Sequence, residues 1–138
     1  MRYSALLALA ALLPAGGAIA ETLPLRVGPH AFHSEVAATP ARRAQGLMGR
    51  THLAADAAML FVFDAPGRHC FWMRDTPLPL TIAFIDAAGR IVAFADMTPR
   101  SEVLHCPPTD IRYALEVRQG EFGRRGIRPG TTVDGLPR

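Results

Sequence analysis

The chain contains no lysine: all fifteen of its basic residues are arginines, balanced by twelve acidic residues in a length of 138, for a formal charge of +3. The arginines do not form the stripe that nucleic acid needs. Arg42-Arg43, Arg124-Arg125 and the rest are interleaved with acids, so nucleic acid is not an expected partner. Internal repeats, low-complexity tracts and long linkers are also lacking, which excludes solenoids and beads-on-a-string arrangements. No Gly-x-Ser-x-Gly elbow, phosphate-binding glycine loop or His-Glu-x-x-His helix occurs, so the usual signatures of serine hydrolases, nucleotide enzymes and zinc proteases are missing. Cysteine is scarce, at two residues, and tryptophan occurs once.

The first twenty residues have the four parts of a secretory leader: Arg2, the apolar run Ala5 to Leu13, the breaker Pro14-Ala15-Gly16-Gly17, and Ala18-Ile19-Ala20 as a cleavage site. A retained membrane anchor is the rival reading. Pro14 and the two glycines would interrupt such a helix before it crossed roughly 30 Å of hydrocarbon. We therefore expect residues 1–20 to be a signal peptide and residues 21–138 to form one domain, periplasmic or secreted, monomeric and without stable membrane insertion. Position 21 is Glu21, so lipid attachment at a cysteine there is not indicated.

In an exported domain an even cysteine count favours a disulfide, here Cys70 to Cys106. Each cysteine follows a histidine, so a Cys2His2 metal site is the alternative. Neighbours on a regular strand point to opposite faces, however, and one dipeptide would struggle to supply both ligands. Met48, Met59, Met73 and Met97 with five histidines raise the further idea of copper. Methionine within apolar strands is ordinarily core filler, so neither a metal nor any other cofactor is expected.

Breakers fall at short intervals, as they do among many short strands. Thr22 to Val27 and Ala31 to Val36 read as a hairpin around Gly28-Pro29. Thr39-Pro40 offers an N-cap and a first-turn proline for a helix over Ala41 to Met48, with Ala44, Leu47 and Met48 on its inner face and Gly49 as its stop. Ala58 to Phe63 is apolar on both faces and therefore central, ending at Asp64-Ala65-Pro66-Gly67. Cys70 to Asp75 reads as a strand, and Thr81 to Ile85 with Ile91 to Met97 as a hairpin. Residues 98–110 form a loop pinned by the disulfide. Arg112 to Arg118 alternates Tyr113, Leu115 and Val117 inward with Ala114, Glu116 and Arg118 outward, and Thr131 to Val133 is a last short strand. The expected fold is mostly β: a barrel or sandwich of about seven short strands with one short helix.

Arg43-Ala44-Gln45-Gly46-Leu47-Met48-Gly49-Arg50, Met59 to Phe63, Phe71-Trp72-Met73-Arg74-Asp75-Thr76-Pro77-Leu78-Pro79-Leu80, Phe84-Ile85-Asp86 and Ala114 to Val117 resemble, in that order, the family called domain of unknown function 192. The resemblance spans roughly residues 23–134. It implies a compact, largely β domain, often exported, with no established activity. Two positions depart from the family: Asp75 stands where asparagine is usual, and Thr81 where aspartate is usual.

Five residues are candidates for a ligand site: Arg43, Trp72, Arg74, Asp75 and Glu116. On a regular strand Trp72 and Arg74 share a face, so Arg74 could clamp an anion beside an aromatic platform. Alternatively Trp72 fills the core beneath the helix and Arg74 pairs with Glu116, packing being the commoner role of a lone tryptophan. Asp75 and Glu116 could divide acid and base roles if burial raised one of them. The leading expectation is an exported binding or accessory module of the cell envelope that holds a small polar or anionic ligand. A cell-envelope hydrolase using Asp75 and Glu116 is the first alternative, and a structural or protein-interaction domain the second.

Overall fold

The computed structural model describes residues 22–138, and the leader reading of residues 1–20 lies outside them. Seven strands make one curled sheet: β1 (Leu23–Val27), β2 (His30–Ala37), β3 (Ala57–Gly67), β4 (Leu80–Ile85), β5 (Ile91–Met97), β6 (Ile111–Arg118) and β7 (Val133–Asp134), in the order β5-β4-β6-β3-β2-β1-β7. Helix α1 (Pro40–Gln45) lies in the connection between the parallel pair β2 and β3, and α2 (Glu121–Arg124) follows β6. All other pairings in the sheet are antiparallel. The two ends of the sheet meet at one rim. There residues 130–133 exchange hydrogen bonds with Gly89 and Ile91, while Val133 and Asp134 pair with β1. The result is the mostly β, half-barrel form of the expected architecture, with the outer edge of β5 covered at Ile91.

Strand parity sorts the apolar side chains into two cores. Leu25, Phe32, Leu60, Ala83, Leu115 and Val117 belong to the cluster on one face, capped by Phe122 of α2. Met59, Phe61, Ile82, Phe84 and Ala114 belong to the other, completed by Leu47, Phe71, Met73 and Leu78 from the connections. Met97 also lies in this second cluster, so Met59, Met73 and Met97 are buried packing residues.

Several sequence expectations need correction. The helix stops at Gln45, because Gly46 adopts φ 46° and turns the chain away; Leu47 is buried after the helix and Ala44 is exposed. The Asp64 to Gly67 segment does not end β3. The strand continues with a register shift between Val62 and Gly67, beyond the last pairing with β2, where Pro66 costs no central ladder bond. Residues 70–75 do not form a strand, since only Phe71 pairs, with His105. Thr131 to Val133 shifts to Val133–Asp134, and α2 is a second helix that the sequence reading left out. On β6 the outward face is not solvated. Ala114 and Glu116 are as buried as Leu115, because the connections fold over that face.

Candidate functional site

The cover over the second face is built from two connections. Thr39 caps α1, its Oγ1 accepting from the Arg42 N–H at 3.2 Å, with Pro40 in the first turn. At the other end of the helix the chain passes close to β3: a Cβ built on Gly46 would sit 3.4 Å from the Phe61 ring. The Gly49 N–H then donates to the Asp75 carbonyl at 2.8 Å, tying the helix exit to the second connection.

That second connection is an irregular flap. Phe71 and His105 exchange backbone hydrogen bonds of 2.9 and 2.8 Å, and the Met73 N–H donates to Ser101 O at 2.8 Å. The Cys70–Cys106 disulfide, with its Cα atoms 4.3 Å apart, fastens the flap at the Phe71 end. Residues 73–76 turn sharply: the Thr76 N–H donates to Met73 O, and Asp75 sits at φ 53°. A left-handed backbone is costly for most residues and tolerable for asparagine and aspartate, which accounts for the residue type found at position 75. Asp75 therefore serves the turn through its backbone.

Between α1 and the flap lies a cleft of about 250 Å³. Phe61, Phe63 and Phe71 form its aromatic wall, with Phe61 and Phe71 in edge contact at 5.2 Å between centroids. Arg43, Trp72 and Arg74 also line it, and Glu116 lies at its floor, on the sheet between Met59 and Ile82. The other lining side chains include Gln45, Met48 and Thr76. Arg43 is fixed: one guanidinium nitrogen donates to both Ala38 O and Val62 O at 2.9 Å, and the group lies 5.1 Å from the Phe63 ring centre. His69 stacks on the same ring at 3.7 Å and is held by Ala65 O.

Trp72 is 42% exposed, so it does not fill the core beneath the helix; the buried side chains of this segment are Phe71 and Met73. Arg74 does share a face with Trp72, its guanidinium carbon 5.4 Å from the indole centre. It pairs loosely with Asp75 and Glu102, at 3.8 and 3.6 Å, and not with Glu116. The exposed carboxylate of Asp75 does not line the cleft, so the structure does not gather Asp75 and Glu116 around one reacting centre.

Glu116 is the unusual member. It is only 4% exposed, and among the described residues no side-chain hydrogen bond or ion pair holds its carboxyl. Burial alone pushes its pKa up to about 8, so at neutral pH it is mostly a neutral acid. A partner-free acid within an otherwise apolar stretch, Tyr113-Ala114-Leu115-Glu116-Val117, was the available sequence signal. By contrast Glu121, equally buried, contacts Arg118 at 2.8 Å and Arg124 and Arg125 at 3.5 Å, and the three guanidiniums more than offset desolvation and lower its pKa. Among the described residues no three His, Cys, Asp or Glu side chains come together to hold a metal ion, and no helix is long and apolar enough to cross a membrane.

A curled β sheet with one covered face and a cleft under the cover defines the class of domain. The chain belongs to the family described as Uncharacterized ACR, domain of unknown function 192, which matches residues 23–135. Solved structures agree. A protein from Sinorhizobium meliloti 1021, described as a candidate transcription regulator, is 32% identical with a TM-score of 0.82, covering 86% of this chain and 98% of its own. A protein of unknown function from Novosphingobium aromaticivorans is 35% identical with a TM-score of 0.80, covering 90% of this chain and 91% of its own. No curated protein matches the chain.

Proposed function

We propose that this protein is an exported binding module that takes a small polar or anionic ligand into the cleft between α1 and the flap. The observation that carries this reading is the unpartnered Glu116 carboxyl at the floor of a cleft whose other polar members include Arg43 and Arg74. Desolvating an acid without a partner destabilises the fold, and a bound group would supply the missing partner. Trp72 and Arg74 offer an exposed aromatic face and a cation that is only loosely paired. The leader-like residues 1–20 and the disulfide support export.

A hydrolase working through Asp75 and Glu116 has less support, because the Asp75 side chain stands outside the cleft. Nucleic acid has less support too. Arg43 is held by carbonyls, Arg50 by Glu35, and Arg118, Arg124 and Arg125 by Glu121, so these five guanidiniums are already engaged within the protein.

Thermal melts of the mature protein against small polar and anionic envelope compounds test the reading. A ligand at one hundred times its dissociation constant should add about 2.7 kcal/mol of apparent stability, and Arg74→Ala should weaken that effect. If no compound raises the melting temperature, or if Arg74→Ala keeps the full increase, the site loses its support.

A further inference from the structure

Glutamine in place of Glu116 could exchange hydrogen bonds with a neutral ligand and would not titrate. What a carboxyl adds at the same place is the capacity to become an anion when a cation arrives. The strand neighbours of Glu116, Met59 and Ile82, bring no charge. The charged groups that share the cleft with the carboxyl are Arg43 and Arg74, and neither pairs with it: Arg43 is held by Ala38 O and Val62 O, and Arg74 contacts Asp75 and Glu102. The acid and the two guanidiniums thus face one cleft without pairing with each other. Phe61 and Phe71 line the same cleft, and aromatic faces attract cations.

We infer that the cleft recognises a small zwitterion of amino-acid or dipeptide size, its ammonium group seated on Glu116 and its anionic group facing Arg43 and Arg74. The inference rests on the binding reading above and names the ligand class for that site. On binding, the neutral carboxylic acid gives its proton to solvent and the resulting carboxylate pairs with the ammonium, so one positive charge enters as another leaves. With the carboxyl titrating near 8, about nine-tenths of a proton should be released per ligand at pH 7 and about one-tenth at pH 9.

Isothermal titration in buffers of different ionisation enthalpy reads both affinity and proton release. Suitable probes are glycine, β-alanine, 4-aminobutyrate, 5-aminopentanoate and glycylglycine, with pentanoate and pentylamine as controls carrying one charge each. At least one zwitterion should bind tenfold or more tightly than either control and release the proton at pH 7. Glu116→Gln should abolish the release and weaken that zwitterion at least tenfold, leaving pentanoate unchanged. If pentanoate equals the best zwitterion without proton release, the zwitterion is overturned while the binding reading stands. Pentylamine equalling it would remove the role of the arginines and overturn it as well. If no probe binds although the melts find another ligand, the ligand class is wrong; if the melts also find none, the binding reading falls with it.

Discussion

Replacing Glu116 with glutamine should stabilise the unliganded protein, by an amount that grows with pH. The carboxyl ionises at about 4.5 in the unfolded chain and at about 8 in the fold, with burial as the cause. Between those values the folded state holds a proton that the unfolded state releases, so raising the pH draws the equilibrium towards unfolding. The penalty begins near pH 4.5, reaches about 3 kcal/mol at pH 7 and levels off near 5 kcal/mol above pH 8, at about 1.4 kcal/mol per pH unit. Because the side chain is almost wholly buried, solvent screening calls for little discount. Glutamine keeps the shape and removes the titration, so subtracting the two proteins' pH profiles cancels every other ionisable group. Urea unfolding at pH 5, 6, 7, 8 and 9 should show the stability gap between variant and parent widening by roughly 3 to 4 kcal/mol from pH 5 to pH 8. Parallel profiles, agreeing within about 0.5 kcal/mol, would mean that Glu116 titrates as an ordinary solvated acid and would refute the desolvation argument.

Glu121 should behave oppositely: its lowered pKa contributes stability above pH 4.5 that is lost as the pH falls through the folded value, and Glu121→Gln at pH 7 should cost about 1 to 2 kcal/mol in urea unfolding, because the three guanidiniums that lose their carboxylate are partly exposed and water takes over much of its role. Cys70→Ser with Cys106→Ser should destabilise the domain by up to roughly 3 to 4 kcal/mol, the chain-entropy limit for a loop of this length, and intact-mass alkylation of the purified native protein should find no free thiol before reduction. Asp75→Asn should leave stability within about 0.5 kcal/mol, whereas Asp75→Val should cost about 1 to 2 kcal/mol in the same assay, since only the first tolerates φ 53°.

The parts of this fold that could be read from the sequence are those decided by short-range chemistry. The β4–β5 hairpin was legible because Asp86 accepts from the Ala88 and Arg90 N–H groups through one carboxylate oxygen, and Gly89 takes the left-handed position that the turn demands. Thr39-Pro40 marked the start of α1 for the same reason. The failures share a different cause. Alternation along β6 puts Glu116 on the face opposite Leu115, as the sequence predicts, yet that face is covered by α1 and the flap, elements distant in sequence, and is not solvated. The face became a second core; Glu35 on it is paired with Arg50, and Glu116 became a cleft floor. The same cover decides between the two readings of Trp72: Phe71 and Met73 take the inner positions, which leaves the tryptophan exposed beside Arg74. Of the five candidate residues, Arg43, Trp72, Arg74 and Glu116 line one cleft, and Asp75 supports it from outside by its backbone. Residue type thus pointed to the neighbourhood, while the division between wall, floor and support depended on how one sheet face is roofed.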